Sequence, residues 1–171
     1  MHCIRAGYLC SLIQCTIVDG IKKMLVAVDG FSHSMKAVDY AVDLAELEHA
    51  ELSLVYAIGD MHDKEVLVAM ATKYGSKAIV RRAYELSKES AMKWLAPIED
   101  MATKKGINVK KEILFESGKS IVQLLVDYAE KSHIDIVVIG TRGRTRFKRL
   151  LLGSVASGVL THAKCTVVAV R

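Results

Sequence analysis

Three glycines and a serine near the C-terminal end of the chain have a spacing that suits anion binding. Gly140 and Gly143 follow an apolar, β-branched run over residues 134–139, and Gly153-Ser154 opens an apolar segment that can be helical. Glycines let backbone N–H groups approach a ligand, and a helix start adds unpaired donors and a partial positive charge. Ser154 can cap that helix and donate its hydroxyl as well. The pattern predicts a strand, a glycine-lined loop and a helix start that together hold phosphate.

Basic residues accompany these glycines: Arg142, Arg144, Arg146, Lys148 and Arg149. A solvated loop accounts for most of them. Basic clusters also neutralise nucleic-acid backbones, but only Phe147 lies within this cluster to stack on a base, and the chain contains no DNA- or RNA-binding motif. We therefore expect no nucleic-acid partner, and we expect Arg142 and Arg144 to face the terminal phosphates of a nucleotide.

A second candidate is an acid that follows the first apolar run. Residues 24–28 end in Asp29-Gly30, which indicates a buried parallel strand and a turn. In an open α/β sheet, ligands bind above the carboxyl ends of the strands, where a carboxylate can accept hydrogen bonds from a ribose. By position alone, a simple turn residue explains Asp29 equally well.

Gly118-Lys119-Ser120 imitates the end of a Walker A loop without completing it. That loop needs a glycine five positions before Gly118, and residue 113 is Ile. We interpret Ser117 or Ser120 as a helix cap instead.

No catalytic set and no metal site emerge from the remaining polar residues. Five histidines lie on or beside predicted helices without a Ser or Cys partner at a recognisable spacing: His33, His49, His62, His133 and His162. The four cysteines contain no Cys-x-x-Cys pair, and Cys165 is expected to be a small buried thiol.

The elements that must position these residues alternate along the chain. Predicted strands cover residues 24–28, 52–58, 109–115, 134–139 and 165–170, and helical patterns lie between them. This βαβ order predicts a single α/β domain with a five-stranded parallel, doubly wound sheet and helices on both faces. The length of 171 residues and the net charge of +5 fit one soluble domain, and the charge is too small to indicate nucleic acid.

Several local features carry expectations of their own. Ser32 and Ser34 can cap the first helix, which ends near residue 48. Charged residues at 110–112 indicate that the third strand lies nearer an edge. Residues 60–76 look like an insertion, helical over 64–74, that covers the site or meets a partner. Pro97 should kink or break the long helix that follows. We expect Trp94 on that helix to lie in the core, and Gly106 to end it.

Residues 1–21 do not fit this pattern. Their apolar part is too short to span a bilayer and lacks a convincing cleavage site. We interpret them as a poorly ordered leader or as the product of a mis-assigned start.

Taken together, Gly140-x2-Gly143-x9-Gly153-Ser154 resembles the ATP-binding signature of the universal stress protein family. The resemblance covers residues 22–171, a nucleotide-binding domain of this type, and begins with Lys22-Lys-Met-Leu-Val-Ala-Val-Asp29. It implies a pocket that Ala27, Val28 and Asp29 line and in which the backbone of Ala57 lies against adenine. The full predicted nucleotide-binding set is Ala27, Val28, Asp29, Ala57, Ile139, Gly140, Arg142, Gly143, Arg144, Gly153, Ser154, Val155 and Ala156.

The resemblance also implies strand order 3-2-1-4-5 and a homodimer that forms through the last strand, residues 166–170. The expected function is a cytoplasmic, non-membrane stress-response protein that binds ATP, or AMP or ADP, with Mg²⁺ as a possible companion of a triphosphate, and acts on an unknown protein partner. Two alternatives stay open. One is a slow ATP hydrolase or phosphotransferase, for which no water-activating residue stands out. The other is a dimeric interaction module without nucleotide.

Overall fold

The computed structural model describes residues 20–30, 32–59, 76–116, 118–141 and 152–171. Its strands are β1 (Lys23–Ala27), β2 (Glu51–Ile58), β3 (Val109–Phe115), β4 (Ile136–Gly140) and β5 (Thr166–Val170). Its helices in the described ranges are α1 (Ser32–Glu48), α2 (Ser76–Lys104), α3 (Ile121–Lys131) and α4 (Ser154–His162). The predictions for residues 1–19, for 60–75 and for the basic loop at 142–150 lie outside the described residues.

The five strands form one parallel sheet in the order β3-β2-β1-β4-β5, which confirms the predicted fold class and strand order. Val26 in β1 pairs with Leu54 of β2 on one side and with Val138 of β4 on the other. Successive strands are therefore added on one side of β1 up to β3 and on the other side from β4 onward, so the strand order reverses between β1 and β4. The crevice above the carboxyl ends of these two strands is the expected place for a ligand in such a fold.

Alternating side chains of the central strands supply two cores, one on each face of the sheet. On the first face, Met24 and Val26 of β1 pack with residues of α1 and α2. On the second face, Leu25 of β1 and Val137 of β4 pack with residues of α3 and α4. We call these the first and the second core cluster. Because both faces are covered, β1 and β4 need continuous apolar runs, as their sequences have.

Charged residues mark the edge strand, as predicted. β3 carries Lys110, Lys111 and Glu112 and ends the sheet. Lys110 forms an ion pair with Glu51 of β2 at 2.9 Å, so its charge lies over the neighbouring strand.

An acidic residue sets where β4 begins. Ile134 and Asp135 were expected inside the strand, but β4 begins at Ile136. Asp135 Oδ2 accepts hydrogen bonds from the backbone N–H groups of Lys22 and Lys23, each at 2.9 Å. The backbone of Asp135 also bonds to both neighbouring strands: its N–H donates to the Lys23 carbonyl at 2.9 Å and its carbonyl accepts from Thr166 at 3.2 Å. Asp135 therefore fixes the beginnings of β1 and β4 through both its side chain and its backbone.

The long helix α2 differs from expectation in two ways. It runs unbroken through Pro97, so of the two predicted effects, a kink or a break, the break does not occur. Among its described side chains, the buried apolar ones are Ala91, Leu95, Ile98 and Ala102. Trp94 was expected in the core but lies beside these side chains with 38% of its surface exposed. The helical stripe passes through residue 95 and leaves residue 94 at its margin. None of the helices in the described ranges is both long and apolar enough to cross a bilayer.

Candidate functional site

The first half of the predicted site lies at the carboxyl ends of β1 and β4. Continuing the β1–β4 register beyond Val26 and Val138 places Val28 beside Gly140. Val28 is buried, and its N–H donates to the Val55 carbonyl of β2 at 2.9 Å. Asp29 follows directly after Val28 and is partly exposed. The acid and the first glycine of the signature therefore lie at the ends of neighbouring strands.

The second half of the site is the N-terminus of α4, and its cap differs from the prediction. Gly153, not Ser154, is the N-cap residue, with φ −71° and ψ 159°, and it makes no side-chain cap hydrogen bond. Ser154 is the first residue of the helix and is exposed. The expectation that Ser154 caps the helix is wrong, because the chain enters the helix one residue earlier.

The amide of Gly153 is engaged within the protein. Its N–H donates to the Thr141 carbonyl at 2.8 Å, so it is not a free donor for an anion. The N–H groups of Ser154, Val155 and Ala156 belong to the first helical turn, where no intrahelical acceptor exists. These three amides and the positive end of the helix dipole make the start of α4 suitable for phosphate.

Thr141 links the two halves, and sequence reasoning did not single it out. Its N–H donates to the Val170 carbonyl of β5 at 2.8 Å, and its carbonyl accepts from Gly153. The side chain is buried, and within the described part of the chain its Oγ1 is the buried side-chain polar atom that lacks a hydrogen-bond partner. The available signal was a hydroxyl between the first two glycines of a loop predicted to hold phosphate.

An aromatic pair stands beside the β1 and β2 ends. The ring of Trp94 contacts Tyr56 edge to face, with ring centroids 5.7 Å apart. Trp94 also lies on Gly30, where an added Cβ would be 2.4 Å from the Trp94 Cε3 atom. Trp94 therefore contacts the sequence neighbours of two predicted pocket residues, Asp29 and Ala57.

The Walker-like segment serves the fold, as predicted. Ser120 caps α3 in a capping box with Gln123. The Lys119 ammonium contacts the carboxylates of Asp127 and Glu116, each at 2.8 Å, and these hydrogen bonds raise the lysine pKa. The two carboxylates neutralise the charge that the lysine of a Walker A loop would direct at a phosphate. Ser117, the other cap considered, is outside the described residues.

Metal ligation finds no support in the described ranges, where no three His, Cys, Asp or Glu side chains come together. Cys165 is a free thiol that is only partly buried, and burial raises its pKa. Arg142, Gly143 and Arg144 are not among the described residues. The remaining predicted residues lie on β1, β2 and β4, directly after β1, and at the N-cap and first turn of α4.

Comparison with known proteins settles the family. The family model described as "Universal stress protein family" matches residues 20–171. The chain belongs to the universal stress protein family. It is 32% identical over 150 residues to a universal stress protein of Methanocaldococcus jannaschii, a match that covers 88% of this chain and 82% of that protein. It is 31% identical over 153 residues to the protein YxiE of Bacillus subtilis, across 87% and 98% of the two chains.

Solved structures of universal stress proteins share the fold. UspA of Lactobacillus plantarum has a TM-score of 0.62 and 25% identity, over 89% of this chain and 99% of that one. A universal stress protein described in complex with cAMP has a TM-score of 0.58 and 22% identity, over 89% and 98%. One from Archaeoglobus fulgidus described in complex with dAMP has a TM-score of 0.57 and 21% identity, over 88% and 98%. Those two proteins bind adenine nucleotides on this fold.

Proposed function

We propose that this universal stress protein binds an adenine nucleotide, ATP or else AMP or ADP, and acts in the cytoplasm as a nucleotide-dependent regulatory homodimer in the stress response. One observation carries the proposal. The start of α4 has no side-chain cap, and it adjoins the strand ends at which the sheet order reverses. Three first-turn amides and a helix dipole without a cap favour an anionic ligand there.

The predicted residues divide naturally between the two ends of such a nucleotide. The amides of Ser154, Val155 and Ala156 would hold phosphate oxygens, and Arg142 and Arg144 would add charge. At the other end, Asp29 would accept hydrogen bonds from the ribose, and the Ala57 backbone would meet the base. The remaining residues, Ala27, Val28, Ile139, Gly140, Gly143 and Gly153, would line the crevice with backbone and small side chains.

Two considerations support this assignment beyond the geometry. Structural relatives are described in complex with cAMP and dAMP, which carry the same base and a phosphate. Magnesium would accompany a triphosphate through the phosphate oxygens and water, since Mg²⁺ usually keeps much of its hydration. No dedicated cage of protein ligands is needed for that role.

Isothermal titration of the full chain with ATP, ADP and AMP tests the proposal. The Gly153→Val, Ser154→Ala double variant adds bulk at the helix entry, while the Gly153 dihedral angles remain accessible to valine. The valine side chain would keep a phosphate away from the first-turn amides, so we expect affinity to fall by roughly tenfold or more, as for the loss of hydrogen bonds to a charged group. Ser120→Ala, at the start of α3, is the matched control and should bind as the wild type does.

Failure of the wild-type protein to bind any of the three nucleotides would overturn the proposal. The same samples are assayed for released ADP after long incubation, which separates slow hydrolysis from binding alone. Trp94 is the single tryptophan of the chain, and it contacts Gly30, which directly follows Asp29, so its fluorescence gives an independent binding signal.

A further inference from the structure

Thr141 presents an unsatisfied hydroxyl at the junction of the site. The residue is only 8% exposed, and within the described part of the chain its Oγ1 has no hydrogen-bond partner. A buried hydroxyl that leaves water without gaining a partner destabilises the folded chain. Such atoms are rare in native proteins, and a ligand that completes them is one physical reason to keep them.

The backbone of Thr141 is already fully used. Its N–H donates to Val170 of β5, and its carbonyl accepts from Gly153, each at 2.8 Å. The residue is therefore fixed between the edge strand and the entry of α4. Its hydroxyl is the group that remains to bind something else.

Strand alternation places that hydroxyl on the side of α4. Val137 and Ile139 of β4 belong to the second core cluster, together with Ala156 and Val159 of α4. Thr141 continues the same alternation two residues after Ile139, so its side chain belongs to the face that α4 covers. The buried hydroxyl and the first-turn amides of α4 thus lie on one face at one end of the sheet.

We propose that the Thr141 hydroxyl is an additional phosphate ligand, which donates a hydrogen bond to the phosphoryl oxygen held by the first turn of α4. The inference rests on the proposed function, because it assigns one more donor to the same nucleotide site. A hydroxyl suits this position because it can rotate its single proton toward an oxyanion. Serine would preserve the interaction, whereas valine, of the same shape, would remove it.

The proposal predicts opposite effects on stability and on binding. Thr141→Val removes an unsatisfied buried hydroxyl, so the melting temperature of the ligand-free protein should rise by roughly 2–4 °C. The same variant should bind ATP, ADP and AMP about tenfold more weakly or worse, since a bond to a charged group is lost. Affinity for adenosine, which has no phosphate, should not change. Thr141→Ser should bind all ligands as the wild type does.

Calorimetric titration and thermal unfolding of the full-length wild type, Thr141→Val and Thr141→Ser test these effects. Wild-type affinity for ATP in Thr141→Val would overturn the inference and leave the proposed function intact. Equal weakening of ATP and adenosine would also overturn it, since the effect would then not involve phosphate. A ligand-free Thr141→Val that melts below the wild type or fails to fold would show that the hydroxyl has a structural partner. If wild-type protein binds no nucleotide, the proposed function fails first, and this inference fails with it.

Discussion

Gly30 is a position where backbone conformation and packing both require glycine. Its φ is +78°, and an added Cβ would lie 2.4 Å from the ring of Trp94. Gly30→Ala should lower the free energy of unfolding by about 2 kcal/mol or more, as the left-handed conformation and the overlap both cost energy. Urea unfolding measures the change.

Removing the indole separates these two costs. In a Trp94→Ala background the overlap disappears but the positive φ remains. Gly30→Ala should then cost only about 1–2 kcal/mol, the cost of the conformation alone. A double-mutant cycle gives the difference as a coupling energy between Gly30 and Trp94. Equal costs in both backgrounds would show that the loop moves away from the indole without penalty.

The ion pair between Lys119 and Asp127 predicts a defined pH window. The bond to Lys119 lowers the pKa of Asp127, and the bonds to Asp127 and Glu116 raise that of Lys119. Because the pKa of Asp127 is lower in the folded than in the unfolded protein, its ionised carboxylate stabilises the fold at pH values above the pKa of an unfolded aspartate. This stabilisation is lost as the pH falls through the pKa of Asp127 in the folded protein. Because the pKa of Lys119 is higher in the folded protein, its charge stabilises the fold at pH values below the pKa of an unfolded lysine. This stabilisation is lost as the pH rises through the pKa of Lys119 in the folded protein.

Asp127→Asn should therefore be slightly less stable than the wild type between these limits and equally stable at strongly acidic pH. Because both groups are solvent-accessible, the difference at neutral pH should be small and should shrink further in high salt. Chemical denaturation of both proteins across pH measures it. A difference that persists at acidic pH would show that Asp127 stabilises α3 by some means other than its charge.

At the scale of the elements, two helices end in a shared hydrogen-bond pattern. Beyond α2, the N–H groups of Gly106 and Ile107 donate to the carbonyls of Thr103 and Ala102. Beyond α3, those of His133 and Ile134 donate to Glu130 and Ala129. Gly106 and His133 therefore occupy the same left-handed position, with φ of +79° and +53°. The glycine made the left-handed position at residue 106 predictable from the sequence, whereas a histidine at residue 133 gives no such signal.

This shared position gives a prediction of opposite sign at the two helix ends. His133→Gly should raise the free energy of unfolding by about 0.5–1 kcal/mol, because glycine enters the left-handed region without strain. Gly106→Ala should lower it by about 1 kcal/mol, and no atom lies within 4 Å of the added Cβ, so conformation alone is measured. Urea midpoints of both variants decide the matter. Destabilisation by His133→Gly would mean that the imidazole contributes more than its backbone strain costs.

The strands were predictable because their apolar runs are bounded by turn and charged residues at consistent positions. β3 is found at the predicted residues 109–115, and the charges within it indicated its place at the edge. β4 begins two residues later than its apolar run, and Asp135, just before it, binds the backbone of β1 through its carboxylate. The two hydrogen bonds of this carboxylate join residues that are 113 and 112 positions apart, so no local sequence pattern contains them.

The connection that leads from β4 to α4 was predictable from Gly140 and Gly153, whereas its polar details were not. The signature located the β4–α4 connection correctly, but the helix cap lies at Gly153 and not at Ser154. The engagement of the Gly153 amide by Thr141 depends on how the loop closes in three dimensions. The exposure of Trp94 was not predicted, because helical periodicity alone does not separate the centre of a buried face from its margin.

At the scale of the whole molecule, β5 leaves one side of the sheet open within the described ranges. β5 is the last strand in the order, and none of its residues is fully buried. Such an edge presents unpaired backbone groups and invites a second strand. Direction of the hydrogen bonds identifies those groups. Thr166 donates to Asp135 and Val170 accepts from Thr141, so residues 166, 168 and 170 face β4. Val167 and Ala169 therefore direct their N–H and C=O groups outward.

This alternation predicts that a proline affects the two sets of residues differently. Ala169→Pro removes an N–H that points away from the sheet, so it should leave the monomer folded and abolish the proposed homodimer. Val168→Pro is the matched control, because it removes a donor to β4 and should destabilise the fold itself. Light scattering after size exclusion gives the mass of each variant, and thermal unfolding gives its stability. If Ala169→Pro remains dimeric at wild-type mass, the subunits do not associate by pairing their β5 strands, and the dimer must form through another surface.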